Sequence, residues 1–221
     1  MKKAIFFDMN ETLLNLSLLK KQFEKHFEDA FVLKYWFTKL LHASTVVGAM
    51  GDYTNFGALS GATLETLFVE SGKELTAETK NEILSAFRHL PAYEDVVVSL
   101  KRLKAEGLKT IAVSNSSLAM VKEQLTNAGI LDLFDAYYSI DAVKRYKPFQ
   151  EIYLYVAKQE RLAVDEVVMV ATHDWDLYGA KKAGLTTAYV VRKKEIYNPY
   201  YLQPDVQASD LIQLTDKILA L

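Results

Sequence analysis

Four short stretches of this chain carry side chains suited to chemistry, and each follows an apolar run or precedes a proline. Asp8, Asn10 and Thr12 come after Ala4–Phe7, and Ser114 and Asn115 after Leu108–Val113. Lys147 stands just before Pro148, and Thr172, His173, Asp174 and Asp176 come after Val167–Ala171. Asp8 is a candidate nucleophile, because an aspartate can form covalent intermediates. Carboxylates crowded together raise one another's pKa values, and Lys147 offsets that charge and keeps Asp8 ionised. Ser114 and Asn115 can donate hydrogen bonds to a substrate oxygen or a departing anion. Taken singly, each residue has an ordinary structural role: an Asp after a strand caps a helix, and a lone Lys is a solvated charge. Four such stretches in the order that brings them to one sheet edge outweigh those readings.

The elements between them supply that edge. Ala4–Phe7 is a short apolar run, as expected of a strand buried on both faces in a parallel sheet. Leu16–Phe31 and Val32–Ala43 carry apolar residues at helical spacing. Gly48, Gly51, Gly57 and Gly61 are expected to break the chain into turns. Leu59–Glu70 and Thr76–Leu90 read as two more helices, with Thr76 as an N-cap. After Pro91, strands and helices alternate: helices at Val96–Glu106, Leu118–Asn127, Phe149–Gln159, Asp176–Ala183 and Leu211–Leu221, strands at Leu108–Val113, Tyr137–Ile140, Val167–Ala171 and Thr187–Val191. The pattern predicts an α/β fold, a doubly wound, Rossmann-like parallel sheet with an inserted helical cap. The core comprises residues 1–14 and 92–221, the cap residues 15–91. In such sheets ligands bind at the carboxyl ends of the strands.

Composition narrows the function classes. The 26 Lys+Arg and 28 Asp+Glu give a formal net charge of −2, so no global basic field draws in nucleic acid. There is no Cys, which removes disulfide scaffolds, thiolate metal sites and cysteine nucleophiles and fits a reducing compartment. No apolar run is long enough to span a bilayer, and Asp8 ends the first one too early for a signal peptide. The expectation is a soluble, cytoplasmic, globular protein.

The same residues carry a resemblance. Phe6-Phe7-Asp8-Met9-Asn10-Glu11-Thr12-Leu13-Leu14 looks like the first motif of the haloacid dehalogenase superfamily, Val113-Ser114-Asn115-Ser116 like the second, and Tyr146-Lys147-Pro148 like the third. Val170-Ala171-Thr172-His173-Asp174-Trp175-Asp176, followed by Gly179-Ala180, looks like the fourth. The Ser-Asn pair, Tyr153 six residues after the Lys, and the Trp-Asp pair resemble the L-2-haloacid dehalogenase branch (type II). Superfamily phosphatases carry a second aspartate two residues after the nucleophile, to protonate the leaving alcohol. Here that position is Asn10, which has no proton to give; a halide needs none. Ala171-Thr172 replaces the Gly-Asp pair those enzymes use toward Mg²⁺.

The resemblance implies a two-step reaction. Asp8 displaces halide from C2 of a 2-haloalkanoate, and water then hydrolyses the aspartyl ester to a 2-hydroxy acid of inverted configuration. It gives Lys147 the task of orienting Asp8, Thr12 and Ser114 that of binding carboxylate oxygens, and Asp176 that of holding Lys147 and placing water. Tyr153 orients the Lys side, Asn115 faces the halide, and Asn10 and Trp175 line the substrate. No cofactor and no metal are implied, and a homodimer is. The family's cap arginine has no counterpart before Arg88, so Trp36 and Lys39, with Lys34 or His42, are candidates to replace it, although an ammonium does not reproduce a guanidinium. His173 stands where better-known members carry Asn; it either activates the hydrolytic water as a base, which its ordinary pKa near 6.5 suits, or positions that water. Two other readings remain open: a Mg²⁺-dependent phosphatase of a small metabolite, and a non-catalytic ligand-binding member.

Overall fold

A computed structural model describes all 221 residues. Its centre is β1 (Ala4–Phe7), whose four residues are all buried, as the unbroken apolar run predicts. β1 lies between β2 (Lys109–Ser114) and β4 (Val167–Ala171), parallel to both, with Phe7 opposite Ala112 on one side and Val170 on the other. β3 (Ala136–Ser139), β5 (Thr186–Val190) and β6 (Val206–Ala208) complete a parallel sheet of order β3-β2-β1-β4-β5-β6. The connecting helices are α5 (Val96–Ala105), α6 (Leu118–Asn127), α7 (Glu151–Gln159), α8 (Asp174–Lys182) and α9 (Leu211–Leu219). Gly107 at φ 78° and Gly129 at φ 68° end α5 and α6 in the left-handed conformation that a side chain would oppose.

Between β1 and β2 the chain is helical throughout: α1 (Ser17–Glu24), α2 (Val32–Ala49), α3 (Phe56–Glu70) and α4 (Ala77–Arg88). Thr76 caps α4 by accepting from the Thr79 N–H at 3.1 Å. These helices differ from the sequence expectation in two ways. The stretch Leu16–Phe31 is not one helix. α1 ends at Glu24, and Asp29 Oδ1 accepts the Phe31 N–H at 2.8 Å, a local bond that competes with helix continuation. Nor do the glycines all make turns. Gly48 lies inside α2 and Gly57 and Gly61 inside α3; only Gly51, at φ 83°, reverses the chain. Gly48 is a packing residue, since a Cβ there would stand 2.7 Å from the Phe149 ring.

Trp36 is the first of two candidate substrate residues that the fold assigns elsewhere. It is fully buried, 5.4 Å from the Phe23 ring and edge-on to Phe87, and its indole N–H donates to the Ser60 carbonyl at 3.3 Å. It is the apolar centre of the helical segment, because a ring of that size contributes most where it is enclosed. Lys39 is the second. It pairs with Glu70 of α3 and lies 5.2 Å from the Tyr35 ring, on the outer surface of the helices. β6 went unpredicted: three residues at a sheet edge leave too short a pattern to read.

Candidate functional site

The strand order reverses direction at β1 and β4, and the crevice there is where an open α/β sheet receives ligands. Asp8 is fixed at this point because its N–H donates to Val170 O at 3.0 Å, one residue beyond the β1 ladder. Thr172 and His173 leave β4 beside it, and Ser114 ends β2. Lys147 enters from the loop after β3, held by its N–H donating to Asn115 Oδ1 at 2.9 Å.

The side chains converge on Asp8. Its Oδ1 lies 3.2 Å from Lys147 Nζ, and its Oδ2 accepts from Thr12 Oγ1 at 2.7 Å and faces His173 Nδ1 at 3.0 Å. Lys147 Nζ also donates to Asp176 Oδ2 at 2.8 Å, and the Tyr153 hydroxyl donates to Asp176 Oδ1. Thr12 Oγ1 in turn accepts from the Thr172 N–H at 3.0 Å. Arg192 secures the same loop: its Nε donates to Thr12 O at 3.1 Å and its two terminal nitrogens bind Asp95 at 2.6 and 2.9 Å. Asn10 accepts from Gln124 Nε2 at 3.1 Å, and Ser114 Oγ accepts from the Ser116 N–H at 3.1 Å.

Glu11 belongs to this centre and was not among the candidate residues. Its Oε2 lies 3.0 Å from His173 Nε2, and its other oxygen pairs with Lys193. Its backbone sits at φ 63°, a left-handed conformation that costs roughly 1–2 kcal/mol for a residue with a side chain. The sequence placed Glu11 inside the first motif but gave no sign that it would turn back toward a residue 162 positions away. Phe37, Leu41 and Phe56 were missed for a similar reason, since apolar residues on a helix read as core.

Electrostatics follow from burial and partners. Burial alone would raise the Asp8 pKa, but Lys147, His173 and Thr12 together hold it well below the usual carboxylate range. Asp8 is therefore ionised at neutral pH. Burial also opposes charge on Lys147, yet Asp176 and Asp8 raise its pKa. Asp176 is raised by burial and by the nearby Asp8 charge, against the pull of Lys147. Burial pushes His173 down, while its bonds to Asp8 and Glu11 lift it to about 9. Both ring nitrogens face carboxylates, an arrangement that favours the protonated imidazole and leaves neither lone pair aimed at a water.

Two cavities meet here. The inner one, about 20 Å³, is bounded by Asp8, Asn10, Ser114 and Asn115 on the sheet side and by Phe37 and Phe56 on the helical side. The outer one, about 570 Å³, opens between α2 and the loop after β5, past Lys34, His42, Lys193 and Tyr201. Phe37, Leu41, His173 and Trp175 border both. Trp175 stacks on His173 with ring centroids 5.1 Å apart. Lys39 and Trp36 border neither of these two cavities. Lys34 reaches the outer one, but it is paired with Glu195 at 2.7 Å.

A divalent cation, which the phosphatase reading requires, does not fit these residues. Asp8 is occupied by an ammonium, a hydroxyl and an imidazolium, and Asp176 is enclosed by Lys147 and Tyr153. Asp174 directs its oxygens to backbone N–H groups, Trp175 at 2.7 Å and Asn198 at 3.1 Å. No three His, Asp or Glu side chains are arranged to share an ion.

Known proteins share both the sequence pattern and the architecture. The (S)-2-haloacid dehalogenase of Pseudomonas sp. (strain YL) is 26% identical over 211 residues, covering 95% of this chain and 91% of its own. The (S)-2-haloacid dehalogenase 1 of Pseudomonas sp. (strain CBS-3) is 28% identical over 224 residues, covering 99% and 97%. The structure of L-2-haloacid dehalogenase from Xanthobacter autotrophicus with chloropropionic acid covalently bound covers 100% of both chains at a TM-score of 0.93 and 24% identity, a likeness of fold. The family model for haloacid dehalogenase-like hydrolases matches residues 2–184, from the start of the sheet through the fourth polar stretch, and the chain belongs to that family.

Proposed function

We propose that this protein hydrolyses the carbon–halogen bond of short 2-haloalkanoic acids through an aspartyl ester on Asp8. One observation carries the reading: an ionised Asp8 is held by Lys147 at the wall of a small cavity closed on its helical side by Phe37, Leu41 and Phe56, beside an Asn10 that can neither give nor take a proton. The names of the relatives, (S)-2-haloacid dehalogenases, support the same chemistry.

In the first step Asp8 attacks C2 in line, the C2–halogen bond breaks, and halide leaves with the bonding pair. Asn115 lines the inner cavity with its Oδ1 engaged by the Lys147 N–H, which leaves Nδ2 as the group to meet the halide at the cavity wall. A carboxylate nucleophile is best exploited where water is excluded and its partners are already in place. Residues 15–91 act as a cap that provides this exclusion through Phe37, Leu41 and Phe56. In the second step water adds to the Asp8 carboxyl carbon and the 2-hydroxy acid departs. Lys147 keeps Asp8 oriented, Asp176 and Tyr153 keep Lys147 in place, and Thr12 holds Oδ2. No metal or other cofactor enters, and the lack of Cys fits a cytoplasmic setting.

Halide release from a panel of 2-chloro acids, compared with Asp8→Asn, tests the proposal. Halide release that requires Asp8 is the expected result. Magnesium-stimulated phosphate release from p-nitrophenyl phosphate, with no halide release, would overturn it.

A further inference from the structure

The two oxygens of Asp8 are not equivalent. Oδ1 meets a single donor, Lys147, at 3.2 Å. Oδ2 has two, Thr12 Oγ1 at 2.7 Å and His173 Nδ1 at 3.0 Å. The less engaged oxygen is the one available to attack carbon, which leaves Oδ2 as the carbonyl oxygen of the ester. We propose that His173 does not act as the base of the hydrolytic step but, together with Thr12, as the donor that holds the oxyanion formed at Oδ2, with Glu11 as the positioning residue that keeps the ring a cation. The inference rests on the dehalogenase reading above.

The geometry of the ring supports a donor. A base needs a free lone pair aimed at a water, whereas Nδ1 is aimed at Oδ2. The other nitrogen, Nε2, lies 3.0 Å from Glu11 Oε2, so its proton also has an acceptor. Lys193 engages the second oxygen of Glu11 and fixes that carboxylate. Stacking on Trp175 and packing against Phe37, 6.3 Å away, keep the ring in this plane. The inner cavity beside Asp8 and His173, about 20 Å³, matches the room one water needs.

The charged groups facing the ring are few. Asp8 meets it from the end of β1 and Glu11 from the loop that follows. Lys147 acts through Asp8 and Lys193 through Glu11, while Lys34 and His42 of α2 face the outer cavity. Asp174 is turned toward Asn198. Esterification removes the Asp8 charge, and Glu11 is then the carboxylate that still holds the proton on His173. The elevated pKa of the free enzyme's imidazole agrees with this.

The step balances without a co-reactant. Water oxygen bonds to the Asp8 carboxyl carbon, and the carbonyl pair moves onto Oδ2, where Thr12 and His173 receive it. Collapse breaks the bond from that carbon to Oδ1. One proton of the water ends on the hydroxyl of the product and the other passes to solvent, and Asp8 returns as a carboxylate. Donors preset at the oxygen that gains charge are the arrangement from which hydrolysis of an acyl centre profits most.

The test follows ester breakdown apart from ester formation. The full-length protein is reacted with 2-chloropropionate in single turnover and quenched over a range of pH; intact mass reports the ester and free 2-hydroxypropionate its loss. In His173→Ala the ester should accumulate and break down about 10²–10³-fold more slowly. His173→Asn, which restores a donor but not the charge, should recover part of that loss. In the natural protein, breakdown should slow as the ring loses its proton, and Glu11→Gln should move that fall to lower pH by at least about one unit. A His173→Asn variant as impaired as His173→Ala would overturn the inference. So would breakdown that speeds up as the ring deprotonates, or a pH profile unmoved in Glu11→Gln. Ester that never forms with any 2-haloacid would overturn the dehalogenase reading and this inference together, whereas ester that forms and then breaks down normally in His173→Ala would overturn this inference alone.

Discussion

Lys147 lies nearer to Asp176 than to Asp8: its ammonium is 2.8 Å from Asp176 Oδ2 and 3.2 Å from Asp8 Oδ1. All three are buried, so the cation is shared unequally between a supporting carboxylate and the reacting one. On the proposed reading, an ammonium drawn fully onto Asp8 would damp its nucleophilicity, whereas one anchored on Asp176 would orient Asp8 and leave its oxygen able to attack.

Asp176→Asn removes the anchor. Breaking one partner from a buried ionic group typically costs about 3–5 kcal/mol, and the remaining contact with Asp8 lowers that to roughly 2–4 kcal/mol here. Urea unfolding should show the loss. Halide release should fall by about 10²-fold or more, because Lys147 then collapses onto the nucleophile.

The pKa of His173 predicts how stability changes in the alkaline range. Its folded value, about 9, lies above the ordinary 6.5. The imidazolium therefore contributes its full stabilisation below pH 6.5 and loses it as pH rises through about 9. A shift of that size corresponds to about 3 kcal/mol. Urea midpoints measured across this interval should decline, and the decline should flatten in His173→Asn. Asp8 acts in the opposite sense: its pKa is lowered from 3.8, so its stabilisation is present above that value and fades at lower pH.

Gly179→Ala tests how α8 is seated against the Lys147 loop. A Cβ at this position would clash with the Pro148 carbonyl oxygen and lie 2.7 Å from Pro148 Cβ and 2.8 Å from its carbonyl carbon. Backbone cannot give way as a side-chain tip can. The variant should lose about 1–3 kcal/mol and, by displacing Lys147, a larger share of activity than of fold. Thermal unfolding and halide release measured together separate the two.

Divalent metal should be irrelevant to turnover. Because Asp8, Asp174 and Asp176 are all engaged by protein groups, halide release should be unchanged by chelator and by added Mg²⁺. Activity abolished by chelator and restored by Mg²⁺ would contradict the assignment of these side chains.

Trp36 and Lys39 should separate cleanly from the chemistry. Trp36→Ala opens the centre of the helical segment and should cost about 3–5 kcal/mol in a denaturant titration. Lys39→Ala should leave the steady-state constants for halide release as they are, since Lys39 is paired with Glu70 outside both site cavities.

Much of this arrangement could be read along the chain. A strand buried on both faces must be apolar throughout, and the residue that ends it must stand at the sheet edge; that logic alone locates Asp8, Ser114 and Thr172. The type of residue at position 10 already separates a leaving group that needs a proton from one that does not. Periodicity recovered the alternation of strands and helices after Pro91, because each amphipathic face is a local property. What it could not recover was which side of a helix turns inward when both sides are apolar. Trp36 and Phe37 are adjacent in α2, yet one fills the helical core and the other walls the inner cavity. The partnership of Glu11 with His173 and Lys193 was equally hidden. It joins residues far apart in the chain through a backbone turned left-handed at Glu11, and only the folded chain brings those charges within reach of one another.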